Sequence, residues 1–444
     1  MDRRTFLKAS AIAGLASSAP WVFRSARAQD GGQGTFDGPY WIFVSAAGGW
    51  DPQFMFDPTE DPEYNRMYQG TGQVGNIPYA PIGIDYERLD WDPAAGIEAH
   101  VLTPEQFLNA HGGRLTVING VDTTTNNHDG GARAMASGKL GLGYPALAAL
   151  IAAKEAPSMP MSFFSGGGYD VTGGHIPLTR VSNAGSFNRI ARPNEISAGE
   201  PDTALYHTQE TWERIARFQR ERNEALRERQ RLPALRTAMR ELLEARVSTR
   251  VLDQLQMPDE LIDLAPGELN ALEGFMRQGQ MVLAAFRSGL SATGSINYGG
   301  WDTHGNHDRD QTRKVLELLG GLDFLVAEAD RLGLGDQVNI VVTSDFGRGP
   351  HYNGENDNAG KDHWPITSVL AMGPAFEGDR LVGATDDRQL ARNVDPDTLE
   401  VVSEGGVKIG PEHVHHALRE LAGLDDHELT AGYPLPGEPL PLFG

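Results

Sequence analysis

Cysteine is absent from all 444 residues. Disulfide cross-links, thiolate zinc sites, iron–sulfur clusters and a cysteine nucleophile are therefore excluded. Positive charge is scarce as well: 38 Lys and Arg stand against 60 Asp and Glu, a formal charge of −22. So acidic a chain does not suit a nucleic-acid partner, whose phosphate backbone calls for a basic face. Beyond the N-terminal region no apolar run approaches the ~20 residues of a membrane-spanning helix. What is present is 40% hydrophobic, enough to build a sizeable core and to exclude a wholly disordered chain.

The N-terminus carries its own signal. Residues 2–8 read Asp-Arg-Arg-Thr-Phe-Leu-Lys, a short apolar stretch runs from Ala9 to about Phe23, and Ala26-Arg27-Ala28 follows. A charged n-region, a brief h-region and an Ala-x-Ala site describe a cleavable export signal of the twin-arginine type over residues 1–28. The expectation is a periplasmic or extracellular protein, with the twin-arginine export machinery as one partner and no stable membrane span after cleavage. Residues 29–444 then form a single domain with a charge of about −26. That route carries proteins already folded, often with a cofactor in place. The lack of cysteine agrees with an oxidising compartment.

Strands and helices alternate along the rest. Tyr40–Val44, Leu115–Val121, Met161–Phe164, Ser291–Tyr298, Val338–Thr343 and Ile366–Met372 are compact apolar runs, the texture of strands buried on both faces. Between them lie helical spacings at Gly130–Ser137, Pro266–Leu290, Arg309–Leu332 and Pro411–Leu421. The fold class is α/β, a mostly parallel sheet sandwiched by helices. From about residue 205 to 290 the chain reads as a helical insertion, opening on an Arg- and Glu-rich face that belongs in solvent.

Ligands of parallel sheets bind beyond the carboxyl ends of the strands. Three strands end within a few residues of an aspartate: Asp51, Asp302 and Asp345. Carboxylates crowded on one edge repel unless a cation or proton intervenes. Histidines accompany them. Asp302 and His304 share a face in an extended segment, His307 joins them if the chain turns after Gly305, and His363 follows Asp362. Carboxylate oxygen with neutral imidazole is a natural donor set for a divalent ion. His128 precedes a helix whose free N–H groups can receive an anion, with Thr125 the nearest hydroxyl and Arg348 available to grip it. Asn126 or Asn127 capping that helix is the plain structural alternative. His413, His415 and His416 read as a surface cluster.

Taken together, the export signal, Gly48-Gly49-Trp50-Asp51, the His128 loop, Gly300-Trp301-Asp302-Thr303-His304, Ser344-Asp345-Phe346-Gly347-Arg348 and Gly360-Lys361-Asp362-His363 resemble the bacterial family of unknown function numbered 1501. The resemblance runs from about Tyr40 to Leu424. That family is in turn similar to the alkaline phosphatase and sulfatase superfamily, whose members hydrolyse phosphate or sulfate esters at one or two metal ions. The resemblance implies an alkaline phosphatase-like fold and one or two divalent ions, zinc ahead of manganese, magnesium or calcium. It implies Asp51 as the first-strand ligand, Asp302 with His304 or His307 and the late His363 for one ion, and Asp345 for the second. The implied substrate is a small anionic ester. Two positions depart from the pattern: Phe346 stands where a ligand histidine is usual, and Asn127-His128 where a hydroxyl or modified-cysteine nucleophile is usual. A non-catalytic metal- or anion-binding or surface-assembly protein on the same fold is the rival expectation.

Overall fold

Strand β1, Tyr40–Ala47, divides its side chains between two cores: Tyr40, Ile42, Val44 and Ala46 enter one, and Trp41 enters the other with Phe43 packed beside it. A strand covered on both faces has little use for polar residues on either, so its sequence reads as a nearly continuous apolar run. The computed structural model describes residues 36–159, 161–180, 188–189, 192–198, 200, 202–233, 235–236, 239 and 267–444. The export signal read over residues 1–28 lies outside them.

After β1 come a small hairpin, β2 (Gly72–Val74) and β3 (Ile77–Tyr79), and then β4 (Leu115–Asp122), β5 (Phe163–Ser165), β6 (Leu178–Arg180), β7 (Thr293–Gly299) and β8 (Val338–Ser344). A second hairpin, β9 (Gly347–Tyr352) and β10 (Lys361–Trp364), leads to β11 (Ile366–Met372) and β12 (Arg380–Val382). Eight of these form one sheet in the order β12-β4-β11-β8-β1-β7-β5-β6. Only β11 runs against its neighbours. The sheet is therefore mixed but mostly parallel, as the sequence pattern predicts.

Helices cover both faces. Helix α1 (Pro104–His111) opens with a capping box between Thr103 and Gln106, with proline at the first position where its missing N–H costs nothing. Helix α2 is His128–Ser137, α3 Leu147–Glu155, α4 Gln209–Arg229, α5 Asn270–Arg287, α6 His307–Arg331 and α7 Pro411–Leu421. Phe107 of α1, Phe275 and Phe286 of α5 and Leu318, Leu319 and Leu322 of α6 fill one core; Met135 of α2, Leu147 and Leu150 of α3 and Val414 and Leu418 of α7 fill the other. Each large side chain so enclosed contributes ~1.5–3 kcal/mol relative to leaving it in water.

Two sequence readings need correction. The span 205–290 is not one insertion: α4 has no buried residue, but α5 is a core helix whose apolar face packs against β7 and α6. Most of the chain between these helices lies outside the described residues. His413 and His415 are buried rather than on the surface, because α7 presents that face to α2; His413 accepts from the Gly410 N–H, and His415 meets the Met135 carbonyl at 2.9 Å. No described helix is long and apolar enough to cross a membrane.

Strands β8, β1 and β7 are adjacent and parallel, so Gly48–Asp51, Gly300–His307 and Asp345–Arg348 emerge on one rim. Strand β4 points the same way and delivers the loop before α2 to that rim, and the β9–β10 hairpin closes over it. A register shift interrupts β10 between Lys361 and His363.

Candidate metal centre

Asp302, three residues beyond β7, is the focus of the rim. His363 Nε2 and His304 Nε2 each lie 3.0 Å from Asp302 Oδ1, and those two nitrogens are 2.9 Å apart. His128 Nε2 stands 3.6 Å from Asp302 Oδ2. His128, Asp302 and His363 each offer a ligand atom within 4.8 Å of the others.

The outer nitrogens explain why the rings face inward. His128 Nδ1 meets Asp345 Oδ2 at 2.8 Å, His363 Nδ1 meets the Asn126 carbonyl at 2.9 Å, and His304 Nδ1 meets Asp362 Oδ1 at 3.3 Å. Each outer nitrogen faces an oxygen that can only accept, so the proton sits there and the Nε2 lone pair points at the cluster. Outward N–H bonds of this kind orient metal-bound imidazoles.

This donor set fits a divalent ion. Two Nε2 lone pairs 2.9 Å apart repel unless a cation or proton lies between them. The triangle of Asp302 Oδ1, His304 Nε2 and His363 Nε2 has edges of 2.9–3.0 Å. Ligands ~2.0–2.1 Å from one tetrahedral ion are about 3.3 Å apart, so a small outward movement accommodates it. Three imidazoles and one carboxylate suit zinc without a thiolate.

Asp302 is kept ionised. Partial burial works against its charge, but the Arg348 hydrogen bond and positive charge, with the His363 and His304 rings alongside, outweigh it and bring its pKa to about 2. Arg348 is fully enclosed: Nε donates to the Gly49 carbonyl, Nη1 to the Lys361 carbonyl, and Nη2 to the Gly48 carbonyl and to Asp302 Oδ1. The sequence reading gave it a substrate; in the structure the strand-end carbonyls cage it and it buttresses Asp302 instead.

Asp345 stands behind the cluster. Its Oδ2 accepts from the Gly48 N–H at 3.0 Å and from His128 Nδ1, so it orients a ring that faces Asp302. Burial raises its pKa, opposed by its bonds to His128 and the Gly48 N–H. Thr125 is not brought to the cluster by any described contact. Its Oγ1 accepts from the Asn127 N–H inside the loop, while Asn127 Oδ1 caps α2 through the Gly130 N–H. The capping alternative is therefore realised by Asn127.

Asp51 and His307 meet each other, apart from Asp302. His307 Nε2 lies 3.0 Å from Asp51 Oδ2, Lys361 Nζ lies 2.7 Å from the same oxygen, and all three side chains are wholly buried. Burial opposes the Asp51 charge, but Lys361 and His307 bring its pKa to about 2. Burial depresses the pKa of His307, with the Lys361 charge adding to it.

Several contributors escaped the sequence reading. Phe346 is fully buried with its ring centroid 4.8 Å from that of His128 and 4.5 Å from that of His363, so it walls both imidazoles. Gln311, one helical turn into α6, donates to the Trp301 carbonyl and accepts from the Asp51 N–H, tying two rim segments together. Lys361 stood within the quoted Gly360-Lys361-Asp362-His363, but nothing in the sequence signalled that it is buried. Gly48 is required: its φ is +126°, and a Cβ there would lie 2.6 Å from the Asp302 backbone nitrogen.

The match to the model of a protein family of unknown function, DUF1501, covers residues 40–434. The chain belongs to the DUF1501 family. This DUF1501 chain shows no significant sequence similarity to any curated protein. Among solved structures it is similar to the lipoteichoic acid synthase LtaP of Listeria monocytogenes, at 8% identity and a TM-score of 0.36, covering 88% of this chain and 74% of that one. It is similar to the TAB5 alkaline phosphatase at 10% identity and a TM-score of 0.31, covering 76% and 92% of the two chains. It also resembles the PsFucS1 sulfatase of a Pseudoalteromonas species, at 12% identity and 0.32, covering 88% and 68%.

Proposed function

We propose that this protein is an exported hydrolase of phosphate or sulfate esters that works with one divalent ion, zinc ahead of manganese, magnesium or calcium. The observation that carries this reading is the set of three imidazoles, each with its outer nitrogen committed to an oxygen and its inner nitrogen turned toward Asp302. Asp302, His304, His363 and His128 would hold the ion. When bound, it supplies a Lewis acid that polarises the ester oxygen and offsets charge developing in the transition state.

The chain's own groups do the rest. Asp345 retains the His128 Nδ1–H and so fixes the ring's orientation. Arg348 keeps Asp302 ionised and in place. Helix α2 begins at His128 and directs its N-terminal dipole at the cluster, which favours an anionic substrate. With Thr125 tied into its loop, the attacking group in this reading is water. Arg3-Arg4 and Ala26-Arg27-Ala28 support delivery to the periplasm or beyond by the twin-arginine route.

The test is turnover of a panel of aryl phosphate and sulfate esters by the chain from residue 29 onward, loaded in turn with Zn²⁺, Mn²⁺, Mg²⁺ or Ca²⁺. Activity that disappears in Asp302→Ala is the expected result; none above that variant refutes the enzyme. A protein that binds metal or anion without turnover is the second reading, favoured by the missing hydroxyl nucleophile. Stoichiometric ion uptake with no hydrolysis identifies it.

A further inference from the structure

The pair Asp51 and His307 has the residue types of a metal site, yet the structure has already completed it. The Lys361 ammonium has three donors and three acceptors around it: Asp51 Oδ2 at 2.7 Å, the Tyr64 carbonyl at 2.7 Å and Gln53 Oε1 at 3.4 Å. Asp51 Oδ1 receives the Gln53 N–H at 3.1 Å and Gln389 Nε2 at 3.3 Å, while Oδ2 receives His307 and Lys361. His307 is saturated too, since its Nδ1 meets Thr303 Oγ1 at 2.8 Å. The Thr303 hydroxyl already accepts from Gln311 Nε2 and can turn its own proton to Nδ1, so Nδ1 accepts from it and Nε2 carries the proton to Asp51. This tautomer is the reverse of the three rings around Asp302, whose Nε2 atoms are free to bind an ion. His307 therefore offers no lone pair toward Asp51.

The charges close as well. One carboxylate and one ammonium, both without solvent exposure, form a neutral buried pair that an entering ion would have to break. The same residue supports the neighbouring cluster through its backbone. Its N–H donates to the Thr303 carbonyl, and its carbonyl accepts from Arg348, the side chain that holds Asp302.

We propose that Lys361 is a built-in cation: its ammonium excludes a metal ion from Asp51 and His307, so that the protein carries a single exchangeable ion, at Asp302. This deepens the function proposed above and rests on it for the identity of the occupied site. It replaces the two-ion expectation with a centre of one mobile and one fixed positive charge. Lys361 is a positioning residue, since its ammonium does not reach the cluster.

The experiment is a calorimetric Zn²⁺ titration with elemental analysis, paired with thermal melts with and without Zn²⁺, on the chain from residue 29 onward. The unaltered chain is expected to take up one equivalent. Lys361→Ala strips the ammonium from a buried carboxylate. It is expected to take up a second equivalent, with a Zn²⁺-dependent rise in melting temperature over and above that of the unaltered chain. Adding Asp51→Asn to Lys361→Ala should abolish that second equivalent and that extra rise. If Lys361→Ala folds only in the presence of metal, Asp51→Asn with Lys361→Met removes both charges together and should fold without Zn²⁺ while still taking up one equivalent. Two equivalents in the unaltered chain, with the second lost in Asp51→Asn, would overturn the proposal. So would a folded Lys361→Ala chain that gains no ion. No uptake at all by the unaltered chain refutes the metal centre at Asp302 instead, and the Asp51-dependent uptake by Lys361→Ala still decides the role of the lysine.

Discussion

Replacing Asp345 with asparagine tests whether the residue behind His128 governs ion binding. The Gly48 N–H and His128 Nδ1 both address the same oxygen, Oδ2, while Oδ1 has no hydrogen-bond partner. An asparagine can set its carbonyl oxygen at the Oδ2 position and its amide nitrogen at the other, so both bonds survive and only the charge is lost. Losing a carboxylate that orients and polarises a ligand imidazole lowers metal affinity ~10–100-fold, which is about 1.4–2.7 kcal/mol at 1.36 kcal/mol per decade. Fold stability should move the other way or stay level, because burial already disfavours the ionised Asp345 carboxyl. The assay is competition for Zn²⁺ with a chelator of known affinity, alongside melts of the metal-free protein. A dissociation constant within twofold of the unaltered chain, with an unchanged metal-free melt, would refute the view that Asp345 acts through His128 on the ion.

Two further outcomes follow from the same geometry. Phe346→Ala removes a fully buried ring packed against His128 and His363, so it should destabilise the fold by ~3–5 kcal/mol in chemical denaturation and weaken Zn²⁺ binding as the two rings loosen. Asp57, whose Oδ2 accepts from Thr385 Oγ1, has its pKa raised by burial to about 6, against about 3.9 in an unfolded chain. The folded state thus holds this proton to higher pH, and stability is lost as pH rises from about 4 to 6 and stays lost above it. Asp57→Asn should flatten that part of the stability profile and gain ~1–2 kcal/mol at pH 8 but little at pH 4, allowing for the partial exposure of the group. A pH profile unchanged by the substitution would contradict this.

The strand ends were legible because burial on both faces leaves an unmistakable apolar run, and parallel neighbours then force Asp51, Asp302 and Asp345 onto one rim. Position along the strand did not reveal depth. Asp51 drops below the rim because it caps the short turn Pro52–Phe54 through the Gln53 N–H, and this aims it at Lys361 rather than at Asp302. The partners that decide each histidine's tautomer lie far away in the chain: 237 residues separate His363 from Asn126, and 217 separate His128 from Asp345. No local spacing encodes such pairs. Arg348 illustrates the same limit. Its charge suggested an anionic substrate, whereas its cage is made of backbone carbonyls, which every sequence has. The insertion was misjudged for another reason: helical periodicity alone cannot separate α4, exposed throughout, from α5, which lies in the core.

The interruption in β10 has a mechanical consequence. Residues two apart on an unbroken strand project to one side, yet Lys361 reaches down into a sealed well while His363 reaches across to Asp302. A single irregular step therefore serves two electrostatic systems from one short lever. Shortening the hairpin by one residue would throw both out of alignment at once, a heavier injury than truncating either side chain. Any ligand that tugs on the imidazole also pulls on the anchor beneath it.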